Sequence, residues 1–86
     1  MRPGMAAPES SDLTTFGANV RALRGAEGWS QVEFAVRLTE RGKSADGAYV
    51  SRIESGSINP TVETVCEIAR ALGVHPGRLF DGIAEG

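Results

Sequence analysis

The chain has little of several residues on which whole functional classes depend. Its 86 residues include one cysteine, Cys66, and one histidine, His75. A single cysteine excludes an internal disulfide, and with one histidine beside it a metal site would need carboxylates almost alone. The sequence suggests no base placed beside a nucleophile, and it has no phosphate-binding pattern of the Walker type. We therefore expect no enzyme, no cofactor and no metal site.

Long apolar runs are also missing. No stretch approaches the roughly 20 apolar residues that a membrane-spanning helix needs. The N-terminal sequence MRPGMAAPESSD lacks the apolar centre of a signal peptide. With 41% hydrophobic residues the composition is still that of a globular protein, and the length allows one domain. We expect a cytoplasmic protein with no membrane partner.

An excess of positive charge is the third absence. The formal net charge is −2, from nine Lys and Arg against eleven Asp and Glu, whereas a strongly basic balance is the usual mark of nucleic-acid-binding proteins. Within Ser30–Gly56 the charges balance, four basic against four acidic. The composition leaves DNA binding open, and it predicts that any non-specific affinity is weak and sensitive to salt.

The residues that are present follow a helical period. Residues 1–12 show no pattern and are interpreted as a flexible arm, 13–83 as the folded domain and 84–86 as a tail. An apolar period begins at Leu13, with Asp12 as the candidate cap of the first helix. No alternating strand pattern and no internal repeat occur, so the sequence predicts an all-α fold.

Capping residues mark the next two helices. Ser30 and Glu33 have the spacing of a capping box at the start of the second helix, and Gly42 is its expected stop. Asp46 fits the N-cap of a third helix, which Gly56 closes. Two short helices joined by a link have the form of a unit that can place its second helix in the major groove of DNA.

Two further helices complete the prediction. A fourth helix follows the turn Asn59–Thr61 and ends before Gly73, and Pro76 opens a fifth, short helix. The apolar positions expected to face the core in helices 2 to 4 are Val32, Phe34, Ala35 and Leu38, then Val50 and Ile53, then Val62, Val65, Ile68, Ala69 and Leu72.

Short motifs follow one another along the chain in a characteristic order. They are Arg21-x-x-Arg24, Trp29-Ser30-Gln31, Phe34-Ala35, Tyr49 to Gly56, Asn59-Pro60-Thr61, Ile68 to Val74, and Leu79-Phe80. In this order and spacing they resemble the phage-repressor and Cro-like helix-turn-helix proteins, often called the Xre family. The resemblance covers Phe16 to Phe80. It implies a five-helix, lambda-repressor-like DNA-binding domain with the helix-turn-helix at helices 2 and 3.

The chain departs from the family between helices 2 and 3. The second helix is expected to run nearly one turn longer, and the link Gly42–Gly47 is longer than the family's tight turn. Gly47 and Ala48 occupy places where many relatives carry polar base-contacting side chains. Neither can donate a hydrogen bond from its side chain to a base edge, although Ala48 can pack on a thymine methyl group.

The resemblance implies which residues contact DNA. Base contacts shift to Tyr49, Ser51 and above all Arg52, because the arginine fork matches guanine O6 and N7. The other implied DNA-contacting residues are Ser30, Gln31, Arg41, Lys43, Gly47, Ala48, Ser55 and Asn59, most of them at phosphates. The resemblance also implies a structural ion pair between Arg24 and Glu54, which joins helix 1 to the end of helix 3.

Two functions remain open from the sequence. The first is a sequence-specific transcriptional regulator, a repressor that acts as a homodimer on a near-palindromic operator in double-stranded DNA. The alternative is a protein-interaction module, such as an antitoxin or adaptor, that keeps the fold with weak or no DNA binding. Leu79, Phe80 and Ile83 either complete the monomer core or form the dimer interface. The operator and the biological system, such as phage, restriction-modification or toxin-antitoxin, stay open.

Overall fold

The computed structural model of the chain describes residues 8–83. In this part of the chain there are four α-helices, one short 3-10 helix and no strand: α1 (Pro8–Ala26), α2 (Gln31–Glu40), α3 (Gly47–Ser55), α4 (Val62–Leu72) and the 3-10 helix (Pro76–Phe80). The prediction of an all-α fold is confirmed. The prediction of five helices is wrong, because the last element is only a single stretch of 3-10 helix. None of the described helices combines the length and the apolarity needed to cross a membrane.

Side-chain hydrogen bonds close both ends of the last element, and those from α1 explain why it stays short. His75 caps it, since its Nδ1 accepts a hydrogen bond from the amide of Gly77 at 3.0 Å. At the other end, the side-chain amide of Asn19 in α1 donates to the carbonyl oxygens of Leu79 at 2.9 Å and Asp81 at 2.8 Å. These carbonyl groups are satisfied by α1, so no further helical turn is needed to pair them.

α1 begins earlier than the sequence predicts. It starts at Pro8, ahead of the expected start at Leu13, because proline suits the first turn of a helix, where its missing amide hydrogen costs nothing. Asp12 therefore lies inside the helix and does not cap it. Residues 1–7 of the predicted arm and the predicted tail 84–86 lie outside the described residues.

The core takes one face from each element. Its members are Phe16 and Val20, then Phe34, Ala35 and Leu38, then Val50 and Ile53, then Val65, Ile68, Ala69 and Leu72, and finally Leu79. Two predicted core positions are wrong, since Val32 is 63% exposed and Val62 is 80% exposed. Both lie in the first turn of their helix, rotated away from the buried stripe that the 3.6-residue period creates.

The predicted caps of α2 and α3 are confirmed. Ser30 Oγ accepts from the amide of Glu33 at 3.0 Å, and the Glu33 carboxylate accepts from the amide of Ser30 at 2.7 Å. Asp46 Oδ1 accepts from the amide of Tyr49 at 2.8 Å. Each cap pairs amides that the first turn leaves without partners. The caps thereby fix where each helix starts and which of its residues face outward.

Candidate nucleic-acid interface

α3 has one buried face and one face that no other described element covers. Val50 and Ile53 point into the core, where they are 1% and 2% exposed. The residues spaced i, i+3, i+4 and i+7 on the opposite side are all exposed, and they are Ala48, Ser51, Arg52 and Ser55. We call these four residues the outer face of α3.

The outer face carries one charge and a few small polar groups. Arg52 makes no ion pair with any residue that the structure describes. Ser55 Oγ donates to the carbonyl oxygen of Arg52 at 3.2 Å and lies 2.7 Å from Ser57 Oγ. The outer face therefore offers a molecule outside the protein a guanidinium with five donors, the hydroxyl of Ser51 and the methyl group of Ala48.

Tyr49 lies beside the outer face and is not part of it. It is half-buried and packs against the core, and Lys43 Nζ lies 5.2 Å from the centre of its ring. A cation over an aromatic ring contributes about 0.5–1 kcal/mol at an exposed site. The structure therefore brings together Ser51 and Arg52, two of the three residues expected to contact bases, and places Tyr49 at the flank with Lys43.

Hydrogen bonds order the link between α2 and α3, although it is longer than the usual turn of about 3–4 residues. Gly42 adopts φ +92°, a conformation that other residues rarely take. This turn lets the amide of Lys43 donate to the carbonyl of Leu38 at 3.0 Å, as in a Schellman motif. Thr39 Oγ1 donates to the carbonyl oxygen of Ala45 at 3.1 Å, which joins the far end of the link to α2.

Arg41 turns from the link toward α4. Its Nε lies 3.3 Å from Glu67 Oε1, and Arg70 donates to the other carboxylate oxygen of Glu67 at 3.0 Å. Exposed pairs of this kind contribute about 0.2–1 kcal/mol, so a competing anion can displace them. The two basic residues of the link thus have different surroundings, with Lys43 against α3 and Arg41 against α4.

A charged network joins α1, α2 and α3 beneath the surface. Arg24 Nε and Nη2 donate to the two carboxylate oxygens of Glu54 at 2.5 and 3.0 Å, and Arg24 Nη1 donates to the carbonyl oxygen of Trp29 at 2.7 Å. Gln31 Nε2 also donates to Glu54, at 3.0 Å. Because a carboxylate accepts only, this contact fixes the orientation of the Gln31 amide.

The network holds α3 in place against α1. The side chains of Arg24 and Glu54 are only 14% and 4% exposed. The hydrogen bond to Glu54 raises the pKa of Arg24 above its ordinary value, against the opposing effect of partial burial. Its guanidinium therefore remains charged throughout the working pH range. Glu54 is closed to solvent, so the pair holds the end of α3 against α1 and leaves ligand contact to other residues.

The remaining predicted site residues lie at the edges of α2 and α3. Ser30 Oγ serves as the cap of α2. Asn59 is exposed in the loop after α3 and lines an apolar groove with Val62 and other residues. Gly47 lies in the first turn of α3, where a Cβ atom would lie 3.0 Å from Val32 Cγ2. These three residues therefore lie around the outer face of α3 and are not part of it.

Val32, like Val62, is exposed where the sequence predicts a core position. The capping box of α2 predicts this exposure, because it fixes the residue at which the helix begins. With Gln31 as the first residue of α2, the buried stripe runs through Phe34, Ala35 and Leu38. Val32 then falls outside this stripe, next to Gly47.

No three His, Cys, Asp or Glu side chains among the described residues lie close enough to hold a metal ion.

Comparison with known proteins gives the family. The sequence pattern of a family described as a helix-turn-helix domain matches residues 15–81. The fold is similar to the crystal structure of the restriction-modification controller protein C.AhdI from Aeromonas hydrophila, with a TM-score of 0.72 and 34% identity, covering 81% of this chain and 98% of that chain. It is also similar to a hypothetical transcription factor, NHTF, from Neisseria, with a TM-score of 0.72 and 29% identity, covering 93% of this chain and 86% of that chain. No curated protein gives a significant match. With α2, the link, α3 and α4 all inside the matched region, the chain belongs to the helix-turn-helix domain family.

Proposed function

We propose that the chain is a sequence-specific DNA-binding transcriptional regulator that places α3 in the major groove. The observation that carries this proposal is the outer face of α3, which is exposed while the opposite face is held in the core. The major groove is wide enough to admit one α-helix. The similarity to a protein named as a restriction-modification controller and to one named as a transcription factor supports the proposal.

Arg52 is the principal base-contacting residue in this proposal. It lies in the middle of the outer face with no ion pair to a described residue, so it gives up no existing charge partner when it binds. Its fork matches the two acceptors of guanine, and such a contact discriminates against other bases by about 1–3 kcal/mol. Ser51 adds a shorter hydrogen-bonding group, and Ala48 offers a surface for a thymine methyl group.

Phosphate contacts would come from the residues around the outer face. Gln31 uses one amide hydrogen on Glu54, which leaves the second for a phosphate oxygen. Lys43 lies beside α3, and Arg41 can exchange its weak pair with Glu67 for a phosphate. Ser30, Ser55 and Asn59 complete the proposed set. These contacts set the position of α3 on the duplex, while the base contacts set the sequence preference.

We further propose that the protein acts as a homodimer. Leu79 is 0% exposed and belongs to the monomer core, whereas Phe80 is 46% exposed. Phe80 and the exposed Val62 border one groove whose other lining includes Val65 and Pro76. Two copies joined at this apolar surface would present two α3 helices to half-sites about 34–36 Å apart. We also propose that the regulator is a repressor, which requires an operator that overlaps a promoter, so that the bound dimer excludes polymerase.

The competing function is a protein-interaction module of the same fold. A net charge of −2 favours it, as does the absence of polar side chains at Gly47 and Ala48. A salt titration against a random-sequence duplex and against the DNA upstream of the coding sequence separates the two functions. The DNA-binding proposal predicts a retarded complex at low salt whose affinity falls linearly on logarithmic axes as salt rises. Absence of any retarded complex at low salt would contradict DNA binding and favour the interaction module.

A further inference from the structure

Val32 fills the space that a side chain at the start of α3 would otherwise take. A Cβ atom built on Gly47 would lie 3.0 Å from Val32 Cγ2 and 3.9 Å from the Val32 Cα atom. Gly47 itself carries no side chain, so the group at this position is the isopropyl group of a residue from α2. Val32 thereby brings α2 into direct contact with the N-terminal end of α3, next to its outer face.

The side chain of Val32 is also open to contact from outside the protein. It is 63% exposed. Its neighbour Gln31 reaches across to Glu54 near the end of α3, while Val32 itself reaches Gly47 at the start. The first turn of α2 therefore lies along α3, and Val32 stands next to the residue that precedes Ala48.

Two apolar residues thus lie at the start of α3, Val32 against Gly47 and Ala48 directly after it in the chain, where a polar base-contacting side chain is absent. Val32 and Ala48 offer only methyl groups, and Gly47 between them offers no side chain at all. In the major groove the apolar feature available to such groups is the C5-methyl group of thymine. Arg52 and Ser51 lie farther along α3, so their polar contacts leave this end of the helix to the apolar groups.

We infer that Val32 is a specificity-determining residue that packs against a thymine methyl group in each half-site. The inference rests on the proposed DNA-binding function and deepens it, because it assigns part of the sequence preference to α2 as well as α3. Burial of one methyl group corresponds to about a fourfold gain in affinity for each half-site. The DNA ligand is a duplex with thymine at the base pair facing the start of α3.

Replacement of thymine by uracil tests this contact, since uracil lacks only the C5-methyl group. The operator selected by the wild-type protein is synthesised with single uracil substitutions, and the dissociation constant is measured by fluorescence anisotropy at fixed salt. We expect one thymine in each half-site at which uracil weakens the wild-type protein about fourfold. In Val32→Ala the same substitution should have almost no effect. Val36→Ala is the matched control, since Val36 is also exposed, at 51%, one turn farther along α2, and it should keep the wild-type response.

The outcomes separate the inference from the proposed function. Loss of the uracil effect in Val32→Ala and its retention in Val36→Ala would support the contact, provided that circular dichroism shows both variants folded. An equal uracil effect in Val32→Ala and the wild type would overturn the inference, as would an operator with no methyl-sensitive thymine, while DNA binding itself would stand. A protein that binds no duplex at all would overturn the proposed function and this inference with it.

Discussion

Gly17 of α1 and Glu54 of α3 lie so close that the two helices touch backbone to backbone. A Cβ atom at Gly17 would lie 2.7 Å from the carbonyl carbon of Glu54 and 2.5 Å from the carbonyl oxygen of Ile53. These distances are too short for real carbon contacts, and the neighbouring atoms are backbone that cannot rotate away. Glycine therefore allows α1 to approach the end of α3, at the residue that also pairs with Arg24.

Gly17→Ala should destabilise the fold because α1 and α3 would have to move apart. Overpacking of this kind costs about 1–3 kcal/mol in the free energy of unfolding. Gly25→Ala in the same helix is the matched control, since no atom lies within 4 Å of the added Cβ. It should stabilise the protein by about 0.5–1 kcal/mol through helix propensity. Urea denaturation measures both, and equal effects of the two substitutions would contradict a steric role for Gly17 between α1 and α3.

Glu54→Ala should remove the main charge partner of Arg24 and the partner of the Gln31 side chain. Stranding one member of a buried pair costs about 3–5 kcal/mol, which a domain of this size cannot easily tolerate. Asp81→Ala is the control, because its pair with Arg78 is exposed at both side chains, and it should cost under about 1 kcal/mol. Thermal denaturation followed by circular dichroism compares them. An unchanged melting temperature in Glu54→Ala would contradict a structural role for the pair.

Short-range features of the fold were predictable from the sequence. A cap such as Ser30 with Glu33 depends on residues three apart, and Asp46 caps its helix by the same rule. The long-range features were not predictable, because they depend on how the helices meet. Asn19 donates to the carbonyl oxygens of Leu79 and Asp81, some sixty residues away, and these two hydrogen bonds help to hold a 3-10 helix where a fifth α-helix was expected.

The same distinction holds at the candidate site. The resemblance implied base contacts by Tyr49, Ser51 and Arg52, and the register that the cap of α3 fixes places Ser51 and Arg52 together on the outer face. Tyr49 lies at the flank of that face, because its ring packs on the core. The position of Val32 over Gly47 depends on how α2 and α3 pack together, which no local pattern encodes.

Arg52→Ala should remove the operator preference at the guanine that Arg52 is proposed to contact, while leaving general duplex binding nearly intact. The physical reason is that its guanidinium is proposed to contact base edges, whose loss costs about 1–3 kcal/mol of discrimination. Arg41→Ala should instead weaken operator and random duplex equally and reduce the salt slope by about one unit, as expected for one lost phosphate contact. Affinity measured for both duplexes at several salt concentrations distinguishes the two results. Unchanged sequence preference in Arg52→Ala would mean that a different face of the protein contacts the bases.

Val62→Glu should weaken self-association without unfolding the monomer. Val62 is 80% exposed, so the monomer loses little, whereas a dimer would bury a carboxylate at the apolar groove. Loss of one buried valine per copy corresponds to a dimer at least about tenfold weaker. Val36→Glu is the control, because Val36 is exposed on α2 and does not line that groove. Sedimentation equilibrium checks the prediction, and equal dimer affinity in the two variants would exclude the proposed dimer surface.

The most direct test of the central claim, that the outer face of α3 reads DNA sequence, is selection of bound duplexes from a random pool. The proposal predicts enrichment of near-palindromic sites whose two half-sites lie about one helical turn apart, with a guanine that Arg52→Ala no longer selects. A pool that shows no enrichment, or an enriched sequence to which Arg52→Ala binds with unchanged preference, would contradict it.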